Sequence, residues 1–572
     1  MKFLLPSILL TILAASWMPD AAPGAGGQKR EVGDLIAPSS DLILLNGKVY
    51  TGDPGRPWVE AIAIRNGVIQ AVGDSKTVRN LAWSSEAVSI DLGGRFACPG
   101  FVDAHGHVAS LGRTMRSLDL VGTGSFGEVV KRAGERIPTL AKGEWVLGRG
   151  WDQNDWKEKS FPHHEALSKA SPDHPAWLVR IDGHAGIANA RALEIAGIAK
   201  ETPDPEGGRI VRDPGSGAAT GVLIDAAMSL VTRHIPSMDK AQIRKDILAA
   251  QSACIAVGLT EIHDAGIGST EIEIYRELDR AGLLDIRIYG MASGNLATLR
   301  RVFADGPILP DPNGRFTLRS IKAVADGALG SRGAALLADY ADDPGNRGLM
   351  TIGKEELLEI VQWAVQKGLQ VGTHAIGDAA NRMTLDVYEE ATRGRRGDSP
   401  RLRVEHAQVL APEDISRFDR LGVIASMQPT HCTSDMPWAG QRLGAARLSG
   451  AYAWRSLLQS GARVASGSDF PVESENPLWG FYAAVSRKDH DGKPEGGWNL
   501  SERMTREEAI RTFTVDGAYA AFEEGSKGTL APGMWADIVV LDKNILKVEP
   551  AELLRTRVWA TIVGGKVVYR TR

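Results

Sequence analysis

The chain has 572 residues, with 66 Lys plus Arg against 70 Asp plus Glu, a formal charge of −4. A hydrophobic share of 43% and a charged share of 24% exclude wholesale disorder, and the slight acidic excess argues against a nucleic-acid partner. Three Cys exclude a disulfide scaffold or a Cys-only zinc module, so the placement of the 12 His carries more information.

Residues 1–16, MKFLLPSILLTILAAS, join Lys2 to a short apolar run that ends in small residues. That is the pattern of a secretory signal peptide, too short to span a bilayer. Residues 17–39, rich in Pro, Gly and Ala, read as a linker. The expectation is an exported, periplasmic protein with no membrane association once the signal is removed. DLILLNGKVYTG from Asp41 and AIAIRNGVIQAVG from Ala61 read as strands, with Asn46-Gly47 and Asn66-Gly67 as hairpin turns. The far end repeats this style in GTLAPGMWADIVVL (528–541) and ATIVGGKVVY (560–569), turning at Gly564-Gly565. Residues 40–98 and 525–572 are therefore expected to form one discontinuous β-sandwich.

Between these ends, short apolar strands alternate with helical patterns. The strands are expected at Phe101–His107, Gly258–Ala265, Ile286–Met291, Ser320–Ala325, Leu369–His374, Arg403–His406, Val423–Met427 and Arg463–Gly467. Helices are expected at Lys240–Val257, Glu271–Ala281, Lys354–Lys367, Ala379–Arg393 and Pro412–Leu421. Eight such strands predict an α/β fold, a (β/α)8 TIM barrel over 99–524. A doubly wound sheet would want a Gly-rich phosphate loop after the first strand, and none is there. Roughly 150 residues separate the first two strands, far beyond an ordinary βα loop. Residues 113–239 are read as an inserted subdomain, Trp-rich at Trp145, Trp151 and Trp156, that forms a lid or a pocket wall.

Functional side chains of a barrel gather at the C-terminal ends of its strands. The first strand ends in Asp103-Ala-His105-Gly-His107, whose two imidazoles share a face at i and i+2. The fourth carries Lys322, the fifth ends at His374, the sixth at His406 and the eighth at Asp469. Imidazoles plus a carboxylate suit a divalent metal, Zn first, with Mn, Fe, Co or Ni left open. Asp326, His431, His184 and Trp151 are further candidates for contacts with substrate. His263 reads either as a support to the site or as a core residue.

These residues lie in CPGFVDAHGHV (98–108), IKAVADGALGSR (321–332), THAIGDAA (373–380), VEHAQ (404–408), QPTH (428–431) and SGSDFPV (466–472), followed by GTLAPGMWADIVVLD (528–542). In them the sequence resembles the amidohydrolase superfamily, most closely its amidohydrolase 3 branch of N-substituted formamide deformylase-like enzymes. The resemblance covers nearly the whole chain after the linker. It implies that His105, His107 and Asp469 hold one metal and His374 and His406 a second, with Lys322 bridging as a carboxylated lysine; single-metal use stays open. It also implies hydrolysis of a non-peptide C–N bond, of amide or N-formyl type, in a small-molecule substrate. Hydroxide made at the metal would attack, Asp469 would serve as general base and then acid, and His431 would help polarise the carbonyl. Cyclic-amide or ester hydrolysis on the same site, and a non-catalytic metal-binding regulatory protein, are the alternatives. A homodimer is compatible with the family.

Overall fold

The computed structural model describes residues 41–80, 87–310, 314–393 and 400–571. The expected signal peptide and linker lie outside the described residues. No helix among the described residues is long and apolar enough to cross a membrane.

Eight parallel strands form the central sheet. They are β1 Phe101–Gly106, β2 Leu259–Ile267, β3 Arg287–Ser293, β4 Phe316–Val324, β5 Gln370–Ala375, β6 Arg403–His406, β7 Ile424–Met427 and β8 Val464–Ser466. Each pairs with its sequence neighbour, from β1 round to β8. Helices at Lys240–Ala256, Ser269–Arg280, Lys354–Gln366, Asp378–Ala391 and Pro412–Leu421 lie outside it. Their limits follow ordinary capping chemistry. The Asp239 carboxylate accepts from Gln242 N–H at the start of the first, and Gly422, at φ 66°, ends the last.

The last gap of the barrel is closed by the site loops rather than by a strand ladder. Asp469 N–H donates to His105 O (2.7 Å), His107 N–H to Phe470 O (2.9 Å), and Ser468 N–H and Oγ–H to the Asp103 carboxylate. Gly467 makes this approach possible, because a Cβ there would lie 2.6 Å from Asp103 Oδ1 and from His105 N. The seam that closes the barrel thus also sets His105, His107 and Asp469 against one another.

Strands from both ends of the described chain meet in two sheets. Val68–Gly73, Ala61–Arg65, Leu42–Leu45 and Val88–Asp91 make a four-stranded sheet. A six-stranded sheet combines Lys48–Tyr50, Trp58–Val59 and Phe96–Pro99 with Ile538–Leu541, Val558–Val563 and Lys566–Arg570. Leu42, Leu44, Ile62 and Ile64 pack against Ile538, Val540, Ala560 and Ile562 between them. Asn66-Gly67 and Gly564-Gly565 turn hairpins with positive φ at both residues. Asn46-Gly47 does not: Leu42–Leu45 and Lys48–Tyr50 belong to different sheets, so this turn passes the chain from one layer to the other.

The insertion has a six-stranded sheet of its own, ordered Gly208–Arg212, Ala219–Asp225, Ala185–Ala188, Ala176–Arg180, Val146–Trp151, Leu118–Asp119. One core gathers Val129, Val146, Trp151, Trp156 and Leu178, and another Trp177, Leu193, Ile210 and Leu223. Its loops at Gly150–Asp152 and Arg180–His184 reach the mouth of the barrel.

Candidate metal centre

The six expected ligands line one compartment of about 370 Å³: His105, His107, Lys322, His374, His406 and Asp469. His107 Nε2 lies 3.0 Å and His105 Nε2 3.7 Å from Asp469 Oδ1. Lys322 Nζ lies 3.0 Å from His105 Nε2. The His406 ring centre is 4.8 Å from that of His105 and 4.5 Å from that of His374. Backbone strain helps to aim two of these groups. His406 sits at φ 75° and Asp469 at φ 59°, a region that β-strand residues avoid.

Two trios bring their donor atoms within 4.8 Å of one another: His105, His107 and Asp469, and His406, His431 and Asp469. The second differs from the expected pairing of His374 with His406. The His374 Nε2 lies 3.5 Å from Gly327 O and from Asp326 Oδ1. His431 Nε2 is buried with no hydrogen-bond partner, 3.7 Å from Asp469 Oδ2.

The donor set fits a divalent cation. Burial, then the Lys322 charge, lowers the His105 pKa to about 4, and burial holds those of His374 and His406 well below the usual value. All three are neutral imidazoles, the form that binds metal. Burial works against the Asp469 anion, but the hydrogen bond from His107 and the neighbouring imidazoles keep its carboxyl well below the carboxylate range. Burial lowers the Lys322 pKa to about 8.

Sequence reasoning missed what orients these ligands. Glu405 Oε2 accepts from His105 Nδ1 at 2.6 Å, which leaves the Nε2 lone pair to face the site. Gln428 Oε1 does the same for His406 Nδ1 at 2.8 Å. Burial opposes ionisation of Glu405, yet Arg403 and His105 hold it well below the usual carboxylate range. Arg403 in turn bonds Glu405, His263 Nδ1, Ala104 O and Ser426 Oγ inside the barrel. His263 therefore belongs to this interior network. The signal was present as Arg403-x-Glu405, two charged residues on one face of a buried strand.

A larger cavity of about 690 Å³ opens from His374, His406, His431 and Asp469 towards solvent. His184 lines it, with Nδ1 2.7 Å from Asp225 Oδ1 and its ring 5.0 Å from that of His374. Burial lowers the His184 pKa, but Asp225 more than offsets this and carries it to about 8. Asp152, Asp155, Asp435 and Glu473 make its wall acidic, with Arg180 bonded to Asp152 and Asp182. Trp438 and Trp479 supply aromatic surface.

Two expected substrate contacts are placed elsewhere. Trp151 does not line either cavity: it is buried in the core of the insertion, 5.8 Å from the Trp156 ring, and its Nε1–H donates to Leu178 O at 2.8 Å. Asp326 is fully buried, and its carboxylate accepts N–H bonds from Ala335, Ile376 and Gly377 at 2.8–2.9 Å. It clamps the loops around His374, and its full burial keeps it from substrate. Burial pushes its pKa up to about 7 against those three bonds.

A family model described as "Amidohydrolase family" matches residues 89–569. The chain is 35% identical over 548 residues to Protein LONG AFTER FAR-RED 3 of Arabidopsis thaliana, covering 93% of this chain and 92% of that one. It is 29% identical over 549 residues to the N-substituted formamide deformylase of Arthrobacter pascens, covering 92% and 98%. A solved structure of an uncharacterized metal-dependent hydrolase from Pyrococcus horikoshii OT3 superposes with a TM-score of 0.73 at 27% identity, covering 89% of this chain and 99% of that one.

Proposed function

On the footing that this chain belongs to the amidohydrolase family, we propose that it hydrolyses a non-peptide C–N bond, of amide or N-formyl type, in a small molecule. The observation that carries this reading is the convergence of His105, His107 and Asp469, with ionised Glu405 fixing the His105 tautomer. The reading takes zinc as the metal, one or two ions per chain, and Lys322 as a carboxylated bridge. Burial lowers the Lys322 pKa to about 8 and so favours the uncharged amine that carboxylation needs. The formamide deformylase relative supports the choice of bond.

A divalent cation bound here supplies Lewis acidity towards a carbonyl oxygen and acidifies water. The residues do the rest. Asp469, kept ionised, accepts the proton of the attacking water at a carboxylate oxygen and returns it to the leaving nitrogen. His431, whose Nε2 has no hydrogen-bond partner and lies 3.7 Å from Asp469 Oδ2, donates its N–H to the carbonyl oxygen. The closed seam between β1 and β8 fixes Asp469 against His107, so this proton transfer needs no large rearrangement.

The N-terminal run from Lys2 to Ser16 supports export to the periplasm, and N-terminal sequencing of the secreted protein checks it. The functional test is a panel of N-formyl amines, N-acyl amines and cyclic amides, assayed with the wild type and with Asp469→Asn. Release of amine and acid by the wild type alone supports the reading. Metal-loaded protein that turns over none of the panel defeats it.

A further inference from the structure

Beside the metal donors stands one cation that the scheme above does not use. Arg149 lines the 370 Å³ compartment together with His105, His107, Lys322, His374 and Asp469. It lies on the inserted strand Val146–Trp151, where a β-bulge separates Arg149 from Trp151 and Gly150 sits at φ 115°. Bulges re-aim side chains. This one sends Trp151 into the core of the insertion and leaves Arg149 at the mouth of the barrel. Gly183 allows the guanidinium to lie close, since a Cβ there would meet Nη1 and Nη2 at 3.3 Å.

Arg180 and Arg403, buried arginines near the site, have carboxylate partners in Asp152, Asp182 and Glu405, whereas Arg149 is half-buried. Arg149 makes no ion pair among the described residues. Its Nη2 donates to Ile181 O at 2.8 Å, its Nε is buried with no partner, and Asp469 and Asp182 act on it only as more distant charges. A guanidinium stays charged in proteins, and a half-buried one without a counter-ion carries part of the cost of leaving water. Positive charge next to a cation site raises that cost. Asp469 and Asp182 line the same compartment and offset part of this charge, but neither pairs with Arg149.

We infer that Arg149 docks a carboxylate inside the reacting compartment, so that the substrates are acylated amines that carry a carboxylate or yield one that Arg149 holds. The inference rests on the hydrolase reading and deepens it. The forked N–H groups of arginine match a carboxylate better than lysine does. Two sources share this chemistry: a carboxylate carried by the substrate, and the carboxylic acid released by hydrolysis.

The test uses the full, metal-loaded chain as wild type, Arg149→Met and Arg149→Lys, each checked for equal metal content and folding. Calorimetric titration with benzoate and with formate needs no turnover. Arg149→Met is expected to weaken binding by about tenfold or more, with Arg149→Lys in between. Equal affinity in wild type and Arg149→Met, or no binding by the wild type, overturns the inference. Paired N-acyl amino acids and their primary amides then identify the source. A collapse of the acid-to-amide ratio of kcat/KM in Arg149→Met assigns it to the substrate. An unchanged ratio with an inhibition constant for the acid product raised about tenfold assigns it to the product. If neither changes, the inference falls. Benzoate binding through Arg149 without amide turnover would keep Arg149 as a carboxylate dock and remove the hydrolase reading, and the acylated-amine substrates with it. Amide turnover and carboxylate binding indifferent to Arg149→Met would do the reverse.

Discussion

Replacing Glu405 by Gln should loosen the metal without removing a single ligand. The carboxylate Oε2 accepts from His105 Nδ1 at 2.6 Å and from Arg403 Nη2 at 3.1 Å, and Oε1 lies 2.7 Å from Arg403 Nε as an ion pair, with all three side chains buried. An amide has one acceptor oxygen and no charge, so its NH2 sits either against His105 Nδ1 and Arg403 Nη2 or 2.7 Å from the Arg403 Nε cation. Loss of such a support to a ligating imidazole costs about 10–100-fold in metal affinity, or about 1.4–2.7 kcal/mol. The stranded Arg403 charge should cost about 3–5 kcal/mol of folding stability in addition. Chelator competition reads the first effect and denaturant unfolding the second. The double variant Glu405→Gln/Arg403→Met removes the stranded charge. It should recover stability while its metal affinity stays low. Metal affinity in Glu405→Gln equal to that of the wild type would refute the assignment of Glu405 as the group that orients His105.

Asp469→Asn should fold normally and lose turnover, read as kcat with unfolding followed in parallel; near-normal kcat would exclude Asp469 as the proton carrier. Asp326→Asn cannot satisfy the three N–H donors of Ala335, Ile376 and Gly377, and at least one is orphaned. A loss of about 1–3 kcal/mol in thermal unfolding, with kcat falling as His374 shifts, is expected. Trp151→Ala should destabilise the insertion by about 3–5 kcal/mol while metal content stays unchanged. Weakened metal binding in that variant would argue that Trp151 belongs to the site after all.

The barrel was legible because its strands carry a simple signal. Runs such as Arg403–His406 and Val464–Ser466 are buried on both faces, and each stops at a residue with chemistry. The ligand types and their strand-end positions were legible for the same reason. Their pairing was not, since it depends on which way each imidazole turns. His431 joins His406 and Asp469 because the helix that begins at Pro429 lifts it over the site, while the His374 ring stays 4.5 Å from that of His406. Glu405 was missed because strand-end logic drew attention to His406, one residue on. In GRGWDQ the large Trp151 attracted the pocket assignment. The bulge at Gly150 reverses which neighbour faces the barrel, and no periodicity reveals it. Asn46-Gly47 failed as a hairpin for a related reason: the dipeptide specifies a turn, not whether both strands share a sheet.

The central claim is that a cation held by His105, His107 and Asp469 makes this chain an amide hydrolase. The direct measurement is turnover of an N-formyl or N-acyl amine by protein stripped with chelator and refilled with stoichiometric zinc. Activity should vanish on stripping, return on refilling in the wild type, and fail to return in His105→Ala or His107→Ala. Hydrolysis that persists at the same rate in the metal-free chain would contradict it.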